Sequence, residues 1–270
     1  MDIDITSWMN LLIRWFHVIL GITWIGQTYL FNWLERRMEA LPAGAEEEGV
    51  SGQLWMVHSG GFFKVQKLTK PQVMPTTLHW FKWEAGLTWV SGIGLLILVY
   101  YHGGLLLDYD SPLSQTMAIA LSIAFILGGW LAYNILLRLP FTVDERAMLA
   151  LSFASVIGAA YLLDMAFSSR ATYMHIGAMF GTIMGANVRD HILPAQRQML
   201  AATEAGEQPD MTLAKKASRA SKHNTYMSVP LVFVMLSSHF PTITYGNDLA
   251  LPILGGLVLF GWGGAKLMRG

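Results

Sequence analysis

The chain has 270 residues, of which 53% are hydrophobic and 13% are charged. An ordinary soluble domain carries about 25% charged residues, so this composition excludes a typical water-soluble surface. Lys and Arg together number 18, as do Asp and Glu, so the basic excess typical of nucleic-acid-binding proteins is absent. The sequence has no cysteine, which excludes disulfides, thiolate metal sites, iron–sulfur clusters and covalently attached c-type haem.

Seven apolar segments approach the length of a membrane-spanning helix, which is about 20 residues. In chain order they are residues 8–34, 80–101, 113–137, 147–167, 171–188, 226–240 and 251–268. The sixth is short and contains Pro230, so its helix is expected to begin near Ser218. The pattern predicts an all-α fold, a polytopic transmembrane helical bundle of about seven helices that forms a single membrane domain over residues 1–270.

Basic residues fall in alternate connections between these segments. The loops at 35–79, 138–146 and 189–222 and the end of the chain carry them, whereas the other loops carry only Arg170. Positively charged loops stay on the cytoplasmic side of a membrane. The alternation therefore predicts an outside N-terminus, an inside C-terminus and two long cytoplasmic loops, 35–79 and 189–222.

The first of these loops contains an apolar and aromatic patch. It consists of Leu54, Trp55, Phe62 and Phe63. Such a patch in a cytoplasmic loop is expected to form a surface helix or a lid over a site at the inner face.

The eight histidines fall into two groups by their expected depth. The outer group contains His17, His102, His175 and His239, and the inner group contains His79, His191 and His223, with His58 as a further member from the first loop. Imidazoles on different helices at matching depth can bind the iron of a noncovalent haem b from opposite sides. The outer four are therefore candidate haem ligands, and the alternative is that they are interfacial residues satisfied by water or headgroups.

Polar residues also share one face of the first segment. Arg14, His17, Gly21, Trp24 and Thr28 recur at steps of three and four residues. This face could bind a planar anion, with Arg14 pairing with its charge and Trp24 stacking on it. The alternative is that Arg14 extends to the outer headgroups.

Further ionisable and amide side chains converge at the expected inner ends of the second, fifth and sixth segments. They are His79, Trp83, Glu84, Asn187, Arg189, His223 and Asn224. A carboxylate inside a membrane costs several kcal/mol and is a functional candidate, so Glu84 is a candidate proton acceptor. Gly177, Gly181 and Gly185 follow at four-residue steps, a spacing that favours close helix packing.

Four stretches that contain these residues resemble the membrane domain of the bacterial cytochrome c-linked urate hydroxylases. They are RWFHVILGITWIGQTYLFNWLE, LHWFKWEAGLTWVSG, HIGAMFGTIMGANV and KHNTYMSVPLVFVMLSSHFP. The resemblance implies oxidation of urate to 5-hydroxyisourate, with electrons passed to cytochrome c instead of oxygen. Members of that family continue into an eighth helix and a periplasmic cytochrome c domain, and this sequence contains neither.

The expected electron acceptor is therefore a separate cytochrome c, a quinone or another respiratory complex, unless the chain is a fragment of a longer protein. Hydroxylation without oxygen needs groups that bind an anion, a base for water and a nearby electron sink. We expect Glu84, His79 and His223 to act in catalysis. We expect substrate to be bound by Arg14, Trp24, Trp83, Asn187, Arg189 and Asn224. We expect the protein to lie in the bacterial inner membrane.

Two other functions fit the same residues. A cytochrome b-type subunit could relay electrons between quinol and a partner, which predicts a haem spectrum without urate-dependent reduction. A purine or anion transporter could bind its substrate through Arg14 and the intramembrane carboxylate, although the sequence has no visible inverted repeat.

Overall fold

The computed structural model describes residues 4–40, 49–68, 77–139 and 144–269. Its elements in chain order are α1 (Ile5–Arg37), β1 (Val50–His58), β2 (Gly61–Leu68), α2 (Trp83–Leu95), α3 (Gln115–Arg138), α4 (Glu145–Asp164), α5 (Ser169–Asn187), α6 (Leu193–Glu204), α7 (Met211–Leu236) and α8 (Ala250–Arg269). Two π-helical segments follow α2 and α5, namely Leu96–His102 and Val188–Ile192. The predicted all-α class is confirmed, with one small β-hairpin added to it.

Five helices within the described ranges are long and apolar enough to cross a membrane. They are α1, α2 with its π-helical extension, α3, α4 and α8. The apolar residues of α1 mostly point away from the bundle, since Trp24 and Leu34 are its buried residues, while Leu11, Trp15 and Ile22 are exposed. An apolar face of this extent is typical of a surface that contacts lipid or another protein.

The predicted fifth and sixth segments form α5 and α7, which are not among those five helices. Helix α5 lies at the centre of the bundle and packs against α2, α3, α4 and α7. Its polar residues face other helices, and His175 is fully buried. Because protein surrounds α5, it needs no apolar face for lipid, which explains why its composition is less hydrophobic.

The three glycines of α5 lie where neighbouring helices approach closely, as their spacing predicts. A Cβ atom added to Gly177 would lie 2.7 Å from Met235 Cε of α7, and one added to Gly185 would lie 3.7 Å from Trp89 of α2. Gly181 also faces α7. The glycines therefore allow α5 to contact two helices at short range.

The second predicted cytoplasmic loop, 189–222, is largely helical. Helix α5 continues through the π-helical turn into α6, and α7 begins at Met211 instead of near Ser218. The Asp210 side chain caps α7 by accepting hydrogen bonds from the Thr212 hydroxyl at 2.7 Å and the Thr212 backbone N–H at 2.8 Å. These hydrogen bonds hold the pKa of Asp210 below its usual value, and they explain the earlier start of the helix.

The apolar patch of the first loop belongs to a β-hairpin, so the expectation of a surface helix is wrong. Strands β1 and β2 pair antiparallel and meet at a two-residue turn, Ser59 and Gly60, whose φ angles of 49° and 77° are both positive. Such turns match the twist of a hairpin and favour it over a helix. Lys67 of β2 pairs with Glu35 of α1 at 2.7 Å, and the lid function stays a prediction.

Helices α7 and α8 make a close backbone contact in the middle of the bundle. A Cβ atom added to Gly261 of α8 would lie 2.9 Å from Cδ and 3.0 Å from the backbone N of Pro230 of α7. Pro230 lacks an N–H and interrupts the hydrogen bonding of α7. The contact therefore depends on a residue without a side chain at position 261.

We expect Gly261→Ala to destabilise the protein by about 1–3 kcal/mol, because the added methyl group would overlap the Pro230 ring and backbone. Gly256→Ala is the matched control on the same helix, since nothing lies within 4 Å of a Cβ atom there. Thermal unfolding in detergent, followed by tryptophan fluorescence, measures both. Equal transition temperatures for the two variants would contradict the proposed contact.

Candidate functional site

A cleft of about 510 Å³ opens at the end of the bundle that contains the C-terminal ends of α1 and α8 and the segment that precedes α2. The α5–α6 junction and α7 complete its walls. The volume is within the range of about 300–1,000 Å³ that is usual for small-molecule sites. Three residues predicted from the sequence line it, namely Trp24, His79 and Asn224.

An amide in the wall of this cleft lies beside a carboxylate behind the wall. Gln27 lines the cleft and donates from Nε2 to Glu84 Oε1 at 3.4 Å, and His79 Nε2 lies 4.0 Å from the same carboxylate oxygen. Glu84 Oε2 and Gln27 Oε1 are buried and accept no hydrogen bond from any described residue. Buried oxygens without a donor are rare in proteins, so this pair is suited to a ligand with N–H groups or to a bound water molecule.

A cation lies at the same cleft. Arg269 donates from its guanidinium to Asn32 Oδ1 at 3.0 Å and to Thr225 Oγ1 at 3.3 Å, and Asn32 donates to Thr225 at 3.1 Å. These contacts hold the guanidinium between α1 and α7. Among the described residues, the oxygens it contacts are neutral, so its positive charge is available to an anionic ligand.

Aromatic side chains supply flat apolar walls. Trp24 is buried and lines the cleft together with Phe31 and Phe81. The Phe31 and Phe81 rings pack edge to face with centroids 5.2 Å apart, and His79 packs on Phe81 at 4.5 Å. A planar heterocycle fits such surroundings by stacking.

A buried chain of hydrogen bonds leads away from the cleft. Asn187 donates from Nδ2 to Asn224 Oδ1 at 2.8 Å and to the Tyr133 hydroxyl at 3.0 Å. The Tyr133 hydroxyl lies 2.8 Å from His223 Nδ1. Asn187 and Asn224 are buried at 1% and 5% exposure, so two predicted substrate-binding residues and one predicted catalytic residue belong to one network.

Three other predicted substrate-binding residues lie away from the cleft. Arg189 is exposed and pairs with Asp190 at 2.6 Å, and the hydrogen bond from Arg189 holds the pKa of Asp190 below its usual value. Trp83 is 66% exposed and lies under the Lys82 ammonium group. Arg14 is exposed and donates to Asn10 at 3.0 Å.

The four histidines predicted as haem ligands contact different partners. His175 has both nitrogens occupied, with Nε2 2.6 Å from Ser122 Oγ and Nδ1 2.7 Å from the Ala171 carbonyl. His17 Nδ1 lies 3.0 Å from the Thr88 carbonyl.

The remaining two candidates, His102 and His239, are exposed. Among the described residues, no group of three or more His, Asp or Glu is arranged to hold a metal ion.

Sequence reasoning missed Gln27, Asn32, Tyr133 and Arg269. Gln27 follows Trp24 by three residues and therefore lies on the helix face that the sequence analysis identified. Arg269 was used only as one of the basic residues that predict an inside C-terminus. Tyr133 lies within an apolar segment, and only the fold reveals its contact with His223.

The urate oxidase N-terminal family matches residues 3–265. The chain belongs to this family. Comparison with curated proteins and with solved structures gave no match. Membership indicates an oxidoreductase related to urate oxidation and confirms the predicted relation to urate oxidases. The membrane-bound, cytochrome c-linked character of this member of the urate oxidase N-terminal family stays a prediction.

We expect Asn187→Ala to destabilise the protein by about 1–3 kcal/mol, because Asn224 and Tyr133 each lose a buried hydrogen-bond donor. Asn134→Ala is the control, since the Asn134 amide donates to the Trp130 carbonyl of its own helix and to no other helix in the part of the chain that the structure describes. Detergent-solubilised variants are compared by thermal unfolding. An Asn187→Ala protein as stable as the control would show that the network contributes nothing to folding.

Proposed function

We propose that the cleft binds urate and that the chain hydroxylates it to 5-hydroxyisourate. The observation that carries this proposal is the pair of buried oxygens Glu84 Oε2 and Gln27 Oε1, which accept no hydrogen bond from any described residue. Gln27 lines a small aromatic cleft with a cation, and Glu84 lies directly behind it. Family membership supports urate as the substrate.

Urate is a flat anion with several ring N–H groups, and the cleft matches each of these properties. Gln27 Oε1 would accept a hydrogen bond from a ring N–H, and Arg269 would pair with the anionic edge. Trp24 and Phe31 would pack against the ring faces. These contacts would hold the purine beside Gln27 and His79, the two lining residues next to Glu84.

The reaction converts urate and water to 5-hydroxyisourate, two protons and two electrons. The water oxygen forms a new bond to a ring carbon, and the Glu84 carboxylate accepts one proton from that water as a general base. The second proton leaves a ring N–H of the oxidised purine to solvent. His79 lies 4.0 Å from Glu84 and is exposed, so it can pass the proton to solvent. The two electrons leave to a separate acceptor, and two molecules of ferric cytochrome c would take one each.

We also propose that the bundle lies in a bacterial inner membrane with its N-terminus outside. The five long apolar helices and the exposed apolar face of α1 support a membrane location. The alternation of basic loops supports the orientation. The cleft would then open to the cytoplasm, because it lies at the end where the basic loops begin and end.

A noncovalent haem b would supply one-electron steps between urate and the acceptor. His175 does not fit as its ligand, because both ring nitrogens are occupied and the side chain is fully buried. His17 fits better, since its Nδ1 contacts a backbone carbonyl and Nε2 is left for a metal. His102 and His239 are exposed, and no described hydrogen bond joins either of them to His17 or His175.

We expect Glu84→Gln to lower kcat for urate by about 10²- to 10⁴-fold, the usual contribution of a general base. The assay follows anaerobic loss of urate with cytochrome c or a soluble dye as the acceptor. Glu204→Gln, at an exposed position at the end of α6, should keep full activity. Full turnover by Glu84→Gln would exclude the carboxylate from the mechanism.

We expect Arg269→Gln to raise KM for urate by about tenfold or more, since a hydrogen bond to a charged group contributes about 1.5–3 kcal/mol. Arg269→Lys keeps the charge and should recover part of the loss. Arg37→Gln removes a charge from an exposed position at the end of α1 and serves as the control. An equal rise in KM for Arg37→Gln and Arg269→Gln would show that Arg269 contributes only to the overall charge and does not contact urate.

A further inference from the structure

A second and larger cavity lies on the other side of the bundle. This groove, about 1520 Å³ in volume, runs between α3, α4, α5, α7 and α8. It shares Ser218 with the cleft and is otherwise lined by different residues. No step of the proposed urate reaction uses it.

The walls of the groove are apolar and in places nearly flat. Gly128 of α3 and Gly158 of α4 line it, and a Cβ atom at either position would meet nothing within 4 Å. Ala132 and Ala159 line it near them. Small residues on two facing helices leave room for a broad, rigid apolar body.

One end of the groove is basic. The charged residues there are Arg146, Arg219, Lys222 and Lys266, against Asp144 and Glu145. Lys222 pairs with Glu145, and the four cations together exceed the two carboxylates by two charges. The groove is therefore complementary to a molecule with an apolar body and anionic groups at one edge.

An imidazole lines the groove next to this basic end. His223 Nδ1 is held by the Tyr133 hydroxyl at 2.8 Å, and Asn187 donates to the same hydroxyl at 3.0 Å. The Tyr133 oxygen has two lone pairs and can accept from both Asn187 and the Nδ1–H of His223. In that tautomer Nε2 carries no proton and is left for a metal, which is how metal-binding histidines are usually oriented. A phospholipid would explain the apolar walls and the cations but would have no use for an oriented imidazole.

We propose that this groove binds a noncovalent iron tetrapyrrole, with His223 Nε2 as an axial ligand and the carboxylates of the macrocycle at the basic end. This assignment replaces His17, the best fitting of the four outer histidines, because His223 lines a cavity wide enough for a macrocycle whereas His17 lines neither this groove nor the cleft. The binding stands independently, whereas any use of the cofactor to carry electrons from urate rests on the proposed function.

The test is a titration of the full chain in detergent with hemin, followed by the Soret absorption band. The wild-type protein should bind one hemin per chain with a spectrum of imidazole-ligated iron. His223→Gly should lose that spectrum, and added imidazole should restore it, which separates loss of a ligand from loss of folding. His239→Gly, which removes an exposed histidine, should match the wild type.

A second variant tests the basic end without altering the ligand. Lys266 is exposed at the mouth of the groove, and Lys266→Glu should weaken hemin binding by about tenfold through lost pairing with a carboxylate. The proposal is overturned if the wild-type protein binds hemin without the spectrum of imidazole-ligated iron. It is also overturned if the His223→Gly protein with hemin has the same spectrum as the wild type. An anionic phospholipid as the occupant would also give no Soret change.

Failure of this inference can be told apart from failure of the proposed function. Glu84→Gln should keep the hemin spectrum while it loses urate turnover. Urate oxidation by a protein that binds no hemin would remove the groove assignment and leave the cleft chemistry intact. An imidazole-ligated spectrum without urate oxidation would do the reverse.

Discussion

The two amide hydrogens of Asn187 connect three helices of the bundle. One goes to Asn224 of α7 and the other to Tyr133 of α3, and both acceptors are buried. A buried amide without partners costs about 1–3 kcal/mol, so α3, α5 and α7 can pack at this level only with these side chains in register. The same contacts determine how the cleft wall at Asn224 and the groove wall at His223 are oriented.

Helix α7 thus has a different chemical character on each side. One side presents Asn224 and Ser221 to the cleft, and the other presents His223 and Lys222 to the groove. Consecutive residues of a helix point about 100° apart, so adjacent positions serve two cavities. Polar residues on both sides leave α7 with little apolar surface, which explains why it is long enough but not apolar enough to be among the five candidate membrane spans.

Hydropathy predicted seven of the helices in their order, because apolar length leaves a clear pattern in a sequence. It missed α6 and the first turns of α7, which are polar. Hydropathy could not predict the β-hairpin, which depends on a two-residue turn at Ser59 and Gly60. At the site, the polar types at Glu84, His79 and Asn224 were found because such residues are rare in apolar segments. The place of Arg269 in the cleft could not be predicted, because its contact with Asn32 joins the last helix to the first.

The π-helical turn between α5 and α6, Val188–Ile192, acts as a phase shift in an otherwise continuous helix. A π turn inserts one extra residue, which rotates all later side chains by about 100° relative to an unbroken α-helix. Asn187 before the turn is directed into the bundle, and Ile192 and Leu193 after it line the cleft. Because of that rotation, one continuous helix can both place Asn187 in the buried hydrogen-bond network and contribute Ile192 and Leu193 to the cleft wall.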